Sequence, residues 1–217
     1  PRLAQRASRN VVNTLGAALN QYVSPWWLPG GNLQTIWPAL YSRRYENSPP
    51  TWRRERWQTP DQDFVDVDFC ETAPAPGVKP LLVLFHGLEG SSGSHYAQAF
   101  ADWAQRNACD LALPHFRGCS GTLNWAPRAY HSGDHEEIDF FLKRFKQMAN
   151  EQGRAAVMAA GVSLGGNALM RWAGEQGRAA RQSVVAVASV CSPLDLTASG
   201  HAIGQGFNRL VYTRMFL

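Results

Sequence analysis

Leu81-Leu82-Val83-Leu84-Phe85 constrains the fold of this chain more than any other segment: it is an unbroken apolar run, preceded by Pro80 and followed closely by Gly87. A strand with one face in water alternates apolar and polar residues, whereas a short continuous run between breakers suits a strand buried on both faces, as in a parallel sheet. Three more such segments follow, at 110–114, 155–160 and 184–190. The stretches between them, 95–107, 134–150 and 164–175, are long enough for crossover helices. Strand and helix in repeated alternation predict an α/β chain with a mostly parallel, doubly wound sheet and helices on both faces. Upstream, 54–58 and 64–71 read as a short meander. In the second of these, Phe64-Val65-Asp66-Val67-Asp68-Phe69 alternates as a half-exposed antiparallel strand would.

The 217 residues suit one domain with a real core, or most of a larger one. A formal net charge of +4, spread along the chain, is a weak basis for nucleic acid binding, and no nucleic acid partner is expected. Cys70, Cys109, Cys119 and Cys191 lie far apart, with no Cys-x-x-Cys pair and no histidine at metal-ligand spacing. They read as reduced thiols, and no metal site is expected. The opening segment lacks the pattern of a secretory signal, so the cytoplasm is the default expectation. Residues 10–42 carry no charge, but Pro25, Pro29, Gly30 and Gly31 rule out a spanning helix there and leave peripheral membrane contact open. Residues 3–19 fit a modest helix. Trp26, Trp27, Trp37, Trp52 and Trp57 crowd the first quarter. Residues 1–53 therefore read as an aromatic-rich segment packing on the outside of the fold, with an acyl-pocket lining as the alternative. Residues 54–217 read as the core.

The sharpest local signal is Gly161-Val162-Ser163-Leu164-Gly165, directly after one apolar strand and directly before a helical segment. Such a nucleophile elbow holds a serine in a strained turn at the carboxyl end of a strand, and small residues are needed on both sides because strand and helix approach closely. Gly161 and Gly165 supply that room. A plain helix N-cap serine is the alternative reading of Ser163, but it predicts no second motif. A second motif is present: His86-Gly87-Leu88-Glu89-Gly90 follows the first buried strand, where a loop amide can join the amide after the nucleophile to form an oxyanion hole. The expected donors are the backbone N–H groups of Leu88 and Leu164, each contributing about 3 kcal/mol toward a developing oxyanion. The His86 side chain itself reads as a packed residue that shapes the loop.

His86-Gly87-Leu88, residues 114–121 (Pro-His-Phe-Arg-Gly-Cys-Ser-Gly), residues 130–134 (Tyr-His-Ser-Gly-Asp) and residues 161–167 (Gly-Val-Ser-Leu-Gly-Gly-Asn) occur in one order. With Pro25-Trp26-Trp27, residues 32–35 (Asn-Leu-Gln-Thr), Trp37-Pro38 and residues 206–209 (Gly-Phe-Asn-Arg), this pattern resembles the YheT-like branch of the α/β-hydrolases, also called the AB hydrolase 4 family. The resemblance implies a serine carboxylesterase or lipase-like enzyme (EC 3.1.1.-) acting on small-molecule acyl esters or lipids through an acyl-enzyme, without a cofactor. Some relatives act on acylglycerols or phospholipids, or move acyl groups from acyl-CoA to alcohols. It also implies a Ser, Asp, His triad with Ser163 as nucleophile, and places the acid and histidine beyond Leu217, so that the fold would be incomplete at its C-terminus.

Asp195 and His201 follow Ser163 in the right order and form an internal alternative for acid and base. His115, His131 and His135 precede the nucleophile, against the chain order of this fold, and read as structural or pocket residues. Arg117 reads as a loop anchor rather than a clamp for a substrate carboxylate. Asp134, Glu136, Glu137 and Asp139 read as the acidic opening of a helix. Acyl transfer to an alcohol, or a non-catalytic binding protein on the same fold, are the alternatives to hydrolysis. Chain length, head group and oligomeric state are not legible.

Overall fold

A computed structural model describes residues 23–42, 44–46, 48–72, 78–154 and 156–212. The helix expected over 3–19 lies outside them. The chain divides into two compact units, Pro1–Tyr41 and Ser42–Leu217. In the first, α1 (Gly30–Tyr41) follows a turn closed by the Leu28 N–H on the Pro25 carbonyl at 2.9 Å, and Trp27 meets Trp37 edge to face at 4.9 Å.

The second unit is built on one sheet. In chain order its elements are β1 (Arg53–Gln58), β2 (Phe64–Cys70), β3 (Leu81–Phe85), α2 (His95–Arg106), β4 (Asp110–Pro114) and α3 (His135–Glu151). They are followed by β5 (Val157–Val162), α4 (Leu164–Gln176), a 3-10 turn (Gly177–Gln182), β6 (Ala186–Val190), α5 (Leu196–Ile203) and α6 (Gly206–Val211). The strands lie in the order β1-β2-β4-β3-β5-β6. β4, β3, β5 and β6 run parallel, while β2 pairs antiparallel with both β1 and β4.

The unbroken apolar run of β3 has a direct explanation. Leu81, Val83 and Phe85 join a cluster with Ile138, Phe141 and Phe145 of α3 and Leu169 and Trp172 of α4. Leu82 and Leu84 join a separate cluster with Ala97, Ala101 and Ala104 of α2. Alternate side chains of one strand thus feed two cores, and each fully buried Leu or Phe stabilises the fold by about 2–3 kcal/mol. Asp134 caps α3, its carboxylate accepting from the Glu137 N–H at 3.4 Å, and Glu136 and Glu137 occupy the first turn, where the helix dipole favours acids.

Two strands differ from the sequence reading. β2 is buried along its whole length, not half exposed. Its two acids stand directly opposite arginines of β1, Arg54 facing Asp68 and Arg56 facing Asp66. Each guanidinium grips its carboxylate through two nitrogens, at 2.6 and 2.8 Å for Asp68 and 2.8 and 2.9 Å for Asp66. β6, whose apolar sequence reads as a buried strand, is exposed at every residue because no strand lies on its outer side among the described residues. All four cysteines are free thiols. No helix among the described residues is long and apolar enough to cross a membrane.

Candidate active site

Ser163 sits at the turn between β5 and α4 with φ 53° and ψ −117°, in the positive-φ region that costs a non-glycine residue about 1–3 kcal/mol. The glycines around it explain how the turn closes. A Cβ on Gly161 would stand 2.5 Å from the Gly166 Cα, so β5 and α4 meet backbone to backbone. A Cβ on Gly165 would stand 2.4 Å from the carbonyl oxygen of His86, which brings α4 against the end of β3. The register agrees, since Phe85 pairs with Gly161. From the other side, the Ser163 N–H donates to the Val190 carbonyl at 2.9 Å, and Asn167 Nδ2 donates to the Pro193 carbonyl at 2.7 Å. Strands β3 and β6 therefore buttress the elbow on its two flanks.

The loop after β3 runs directly past the serine: a Cβ on Gly87 would lie 3.3 Å from the Ser163 Cβ. His86 is fully buried and shapes this loop. Its Nε2 accepts from the Phe116 N–H at 3.0 Å and its Nδ1 lies 2.7 Å from the Gly87 carbonyl, so the ring is a neutral imidazole with its proton on Nδ1. Burial pushes its pKa down to about 4, which keeps it in that form. Leu88 lies on the turn between Gly87 and Glu89, with its side chain exposed. Leu164 opens α4, where a helix has no internal acceptor for the N–H. Two tyrosine hydroxyls, for which the sequence suggested no role, also reach the loop: Tyr96 accepts from the Gly87 N–H at 2.9 Å, and Tyr130 accepts from the Glu89 N–H at 3.0 Å.

The other sequence candidates lie elsewhere or are already engaged. Asp195 is the N-cap of α5, its carboxylate accepting from the Ala198 N–H at 2.9 Å, and His201 lies in the last turn of that same helix. Both are exposed, and no hydrogen bond or ion pair joins them to each other or to Ser163 among the described residues. His115 is buried, with Nε2 2.7 Å from Asp68. Burial would raise the Asp68 pKa, but hydrogen bonds from Arg54, His115 and Ser92 outweigh it and hold the carboxyl well below the usual range. His131 and His135 lie within hydrogen-bonding distance of the carbonyls of Ser132 and Gly133, in the turn before α3. Arg117 is tied into the protein by Glu137 at 2.7 Å, Asp63 at 2.9 Å and Asp61 at 2.9 and 3.1 Å. It fastens the segment after β4 to the start of α3 and to the β1–β2 turn.

A mostly parallel sheet, a strained serine between strand and helix, and a histidine-glycine loop packed against it define an α/β-hydrolase fold. Solved structures agree: the Pyrococcus furiosus esterase Pf2001 superimposes with a TM-score of 0.57 at 15% identity, over 75% of this chain and 59% of that one. No family model matches the chain. It is, however, 40% identical over 186 residues, 86% of its length and 52% of the relative's, to the protein of Escherichia coli (strain K12) named "Putative esterase YheT". It is also 27% identical over 181 residues, 79% of its length and 39% of the relative's, to the monoacylglycerol lipase ABHD2 of Danio rerio. In sequence the chain is similar to the YheT-like α/β-hydrolases. It spans about half the length, or less, of these two curated relatives.

Proposed function

We propose that this chain carries the nucleophile and oxyanion half of an ester hydrolase. Ser163 attacks the carbonyl of a small acyl ester or lipid, the N–H groups of Leu88 and Leu164 receive the developing oxyanion, and water releases the acid from the acyl-enzyme. The observation that carries this reading is the elbow itself: Ser163 is held at φ 53° where the loop after β3 presses closest on it. A strained turn buttressed on both flanks is costly, and such strain is retained where it aims a side chain. The esterase and lipase names of the relatives support the same chemistry. A serine hydroxyl needs a base. Because Asp195 is engaged as a helix cap and His201 has no bond to it, the proposal takes the triad acid and histidine from outside the described residues, as the resemblance implies.

The test is Ser163→Ala in the full-length protein. Hydrolysis of short p-nitrophenyl esters should fall at least about a thousandfold with the melting curve intact, and labelling by a fluorophosphonate probe should vanish. Near-wild-type turnover in that variant would move the chemistry to another residue.

A further inference from the structure

The loop that borders Ser163 carries four consecutive amides, Gly87 to Gly90, and three of them are engaged. The Gly87 N–H donates to the Tyr96 hydroxyl at 2.9 Å, the Glu89 N–H to the Tyr130 hydroxyl at 3.0 Å, and the Gly90 N–H to the Gly87 carbonyl at 3.0 Å. The two hydroxyls come from opposite layers of the fold. Tyr96 lies in the first turn of α2 and packs on the Leu82–Leu84 core, whereas Tyr130 stacks on Phe116 at 5.4 Å and 9° and packs on the Phe85–Phe141 core. The Tyr130 hydroxyl also donates to the Glu89 carboxylate at 2.7 Å. It thereby grips both ends of a residue held at φ 52°, a conformation Glu89 would not adopt unaided. Gly90 is required beside Tyr96, since a Cβ there would stand 2.3 Å from the tyrosine oxygen.

We propose that Tyr96 and Tyr130 are positioning residues for the oxyanion loop: by binding the amides on either side of Leu88 they leave its N–H as the loop's donor to the reacting carbonyl. This rests on the ester-hydrolase reading above and deepens it. Oxyanion donors act through being aimed before the charge develops, so a loop held from two separate cores avoids reorganisation during the reaction. Each hydroxyl acts through the backbone, at one remove from substrate, and the effect belongs to the transition state rather than to ester binding.

The experiment uses Tyr96→Phe, Tyr130→Phe and the double variant of the full-length protein, with p-nitrophenyl butyrate and a trifluoromethyl ketone whose hemiketal oxygen occupies the same position as the oxyanion. Phenylalanine keeps the ring packing and removes only the hydroxyl. In each single variant kcat should fall about tenfold, and in the double variant about a hundredfold, with KM changed less than about twofold and ketone affinity falling in step with kcat/KM. Wild-type kcat and ketone affinity in either folded single variant, or a loss confined to KM, overturns the proposal. Should one variant unfold, as melting curves would show, the other decides, because the two hydroxyls sit in different cores. Ser163→Ala in parallel separates the two claims: its retention of activity sinks the serine reading, whereas its inactivity beside unaffected tyrosine variants sinks the clamp alone.

Discussion

β3 and β6 are both five-residue, mainly apolar strands, both parallel to β5 and hydrogen-bonded to it on opposite sides, yet their surroundings differ completely. Every residue of Leu81–Phe85 is buried, whereas Val187 and Val190 of β6 remain 39% exposed. β3 has a strand on each side and a helix layer on each face. β6 has β5 on one side and no strand on the other among the described residues. Beside it an open apolar groove of about 470 Å³ runs between Phe100, Trp103, Met158, Ala186 and Ala188. The comparison teaches that apolar sequence states a strand's need for burial, while its neighbours determine how much burial it receives. The two flanks of the elbow also differ in kind: toward β3 Gly165 packs on backbone carbonyls, and toward β6 Gly166 packs on the Ser189 and Ser192 hydroxyls.

Substitutions on the two sides should therefore differ in size. The largest effect is expected at Gly165, where a Cβ would meet the His86 and Phe85 carbonyls, backbone atoms that cannot swing away. Gly165→Ala should cost about 5 kcal/mol or prevent folding, measured by urea denaturation, and a loss under about 1 kcal/mol would show that the β3 side is softer than its geometry. Arg117→Met comes next, at about 4 kcal/mol, because it strands the buried carboxylates of Asp63 and Glu137 and releases the segment after β4. Burial already raises the Glu137 pKa against the pull of Arg117, so part of the loss should be relieved by protonation at acid pH.

His86→Leu should cost about 2–3 kcal/mol by leaving the Phe116 N–H and the Gly87 carbonyl without their partner. It should also change the response to pH. His86 titrates near 4 in the fold against 6.5 ordinarily, so the unfolded chain takes up this proton first. The stability it supplies is complete above about pH 6.5 and declines toward pH 4, by up to about 3 kcal/mol. Melting temperatures of the two proteins should converge across that window, while the loss from Asp61, held down to about 2 mainly by Arg117, appears in both at still lower pH. Parallel curves would show that the ring protonates freely in the fold. The smallest effect is expected on the open side: Val187→Thr in β6 should change stability by less than about 0.5 kcal/mol. A loss as large as that of His86→Leu would mean that β6 is covered in solution.

Much of this architecture is legible along the chain. The breakers around 81–85, the apolar runs that follow and the glycines of 161–165 locate β3, β4, β5 and the elbow, because a strand's need for burial and a glycine's steric freedom are properties of a few adjacent residues. Asp66 and Asp68 mislead for the opposite reason. An acid in an alternating strand reads as facing solvent, and only the pairing of β1 with β2 brings Arg56 and Arg54 opposite them. Asp195 shows the same gap between residue type and role, since an acid just after β6 can be a catalytic group or a helix cap, and its carboxylate is bonded to the Ala198 N–H.

The place of the serine turn is marked locally, since Gly161, Ser163 and Gly165 stand within five residues and leave room for strand and helix to meet. Which amide of the neighbouring loop remains available to a substrate was decided by packing. Tyr96 lies nine residues from Gly87 and Tyr130 forty-one from Glu89. A hydrogen bond between groups so far apart along the chain exists only once two cores have formed and set both rings in place.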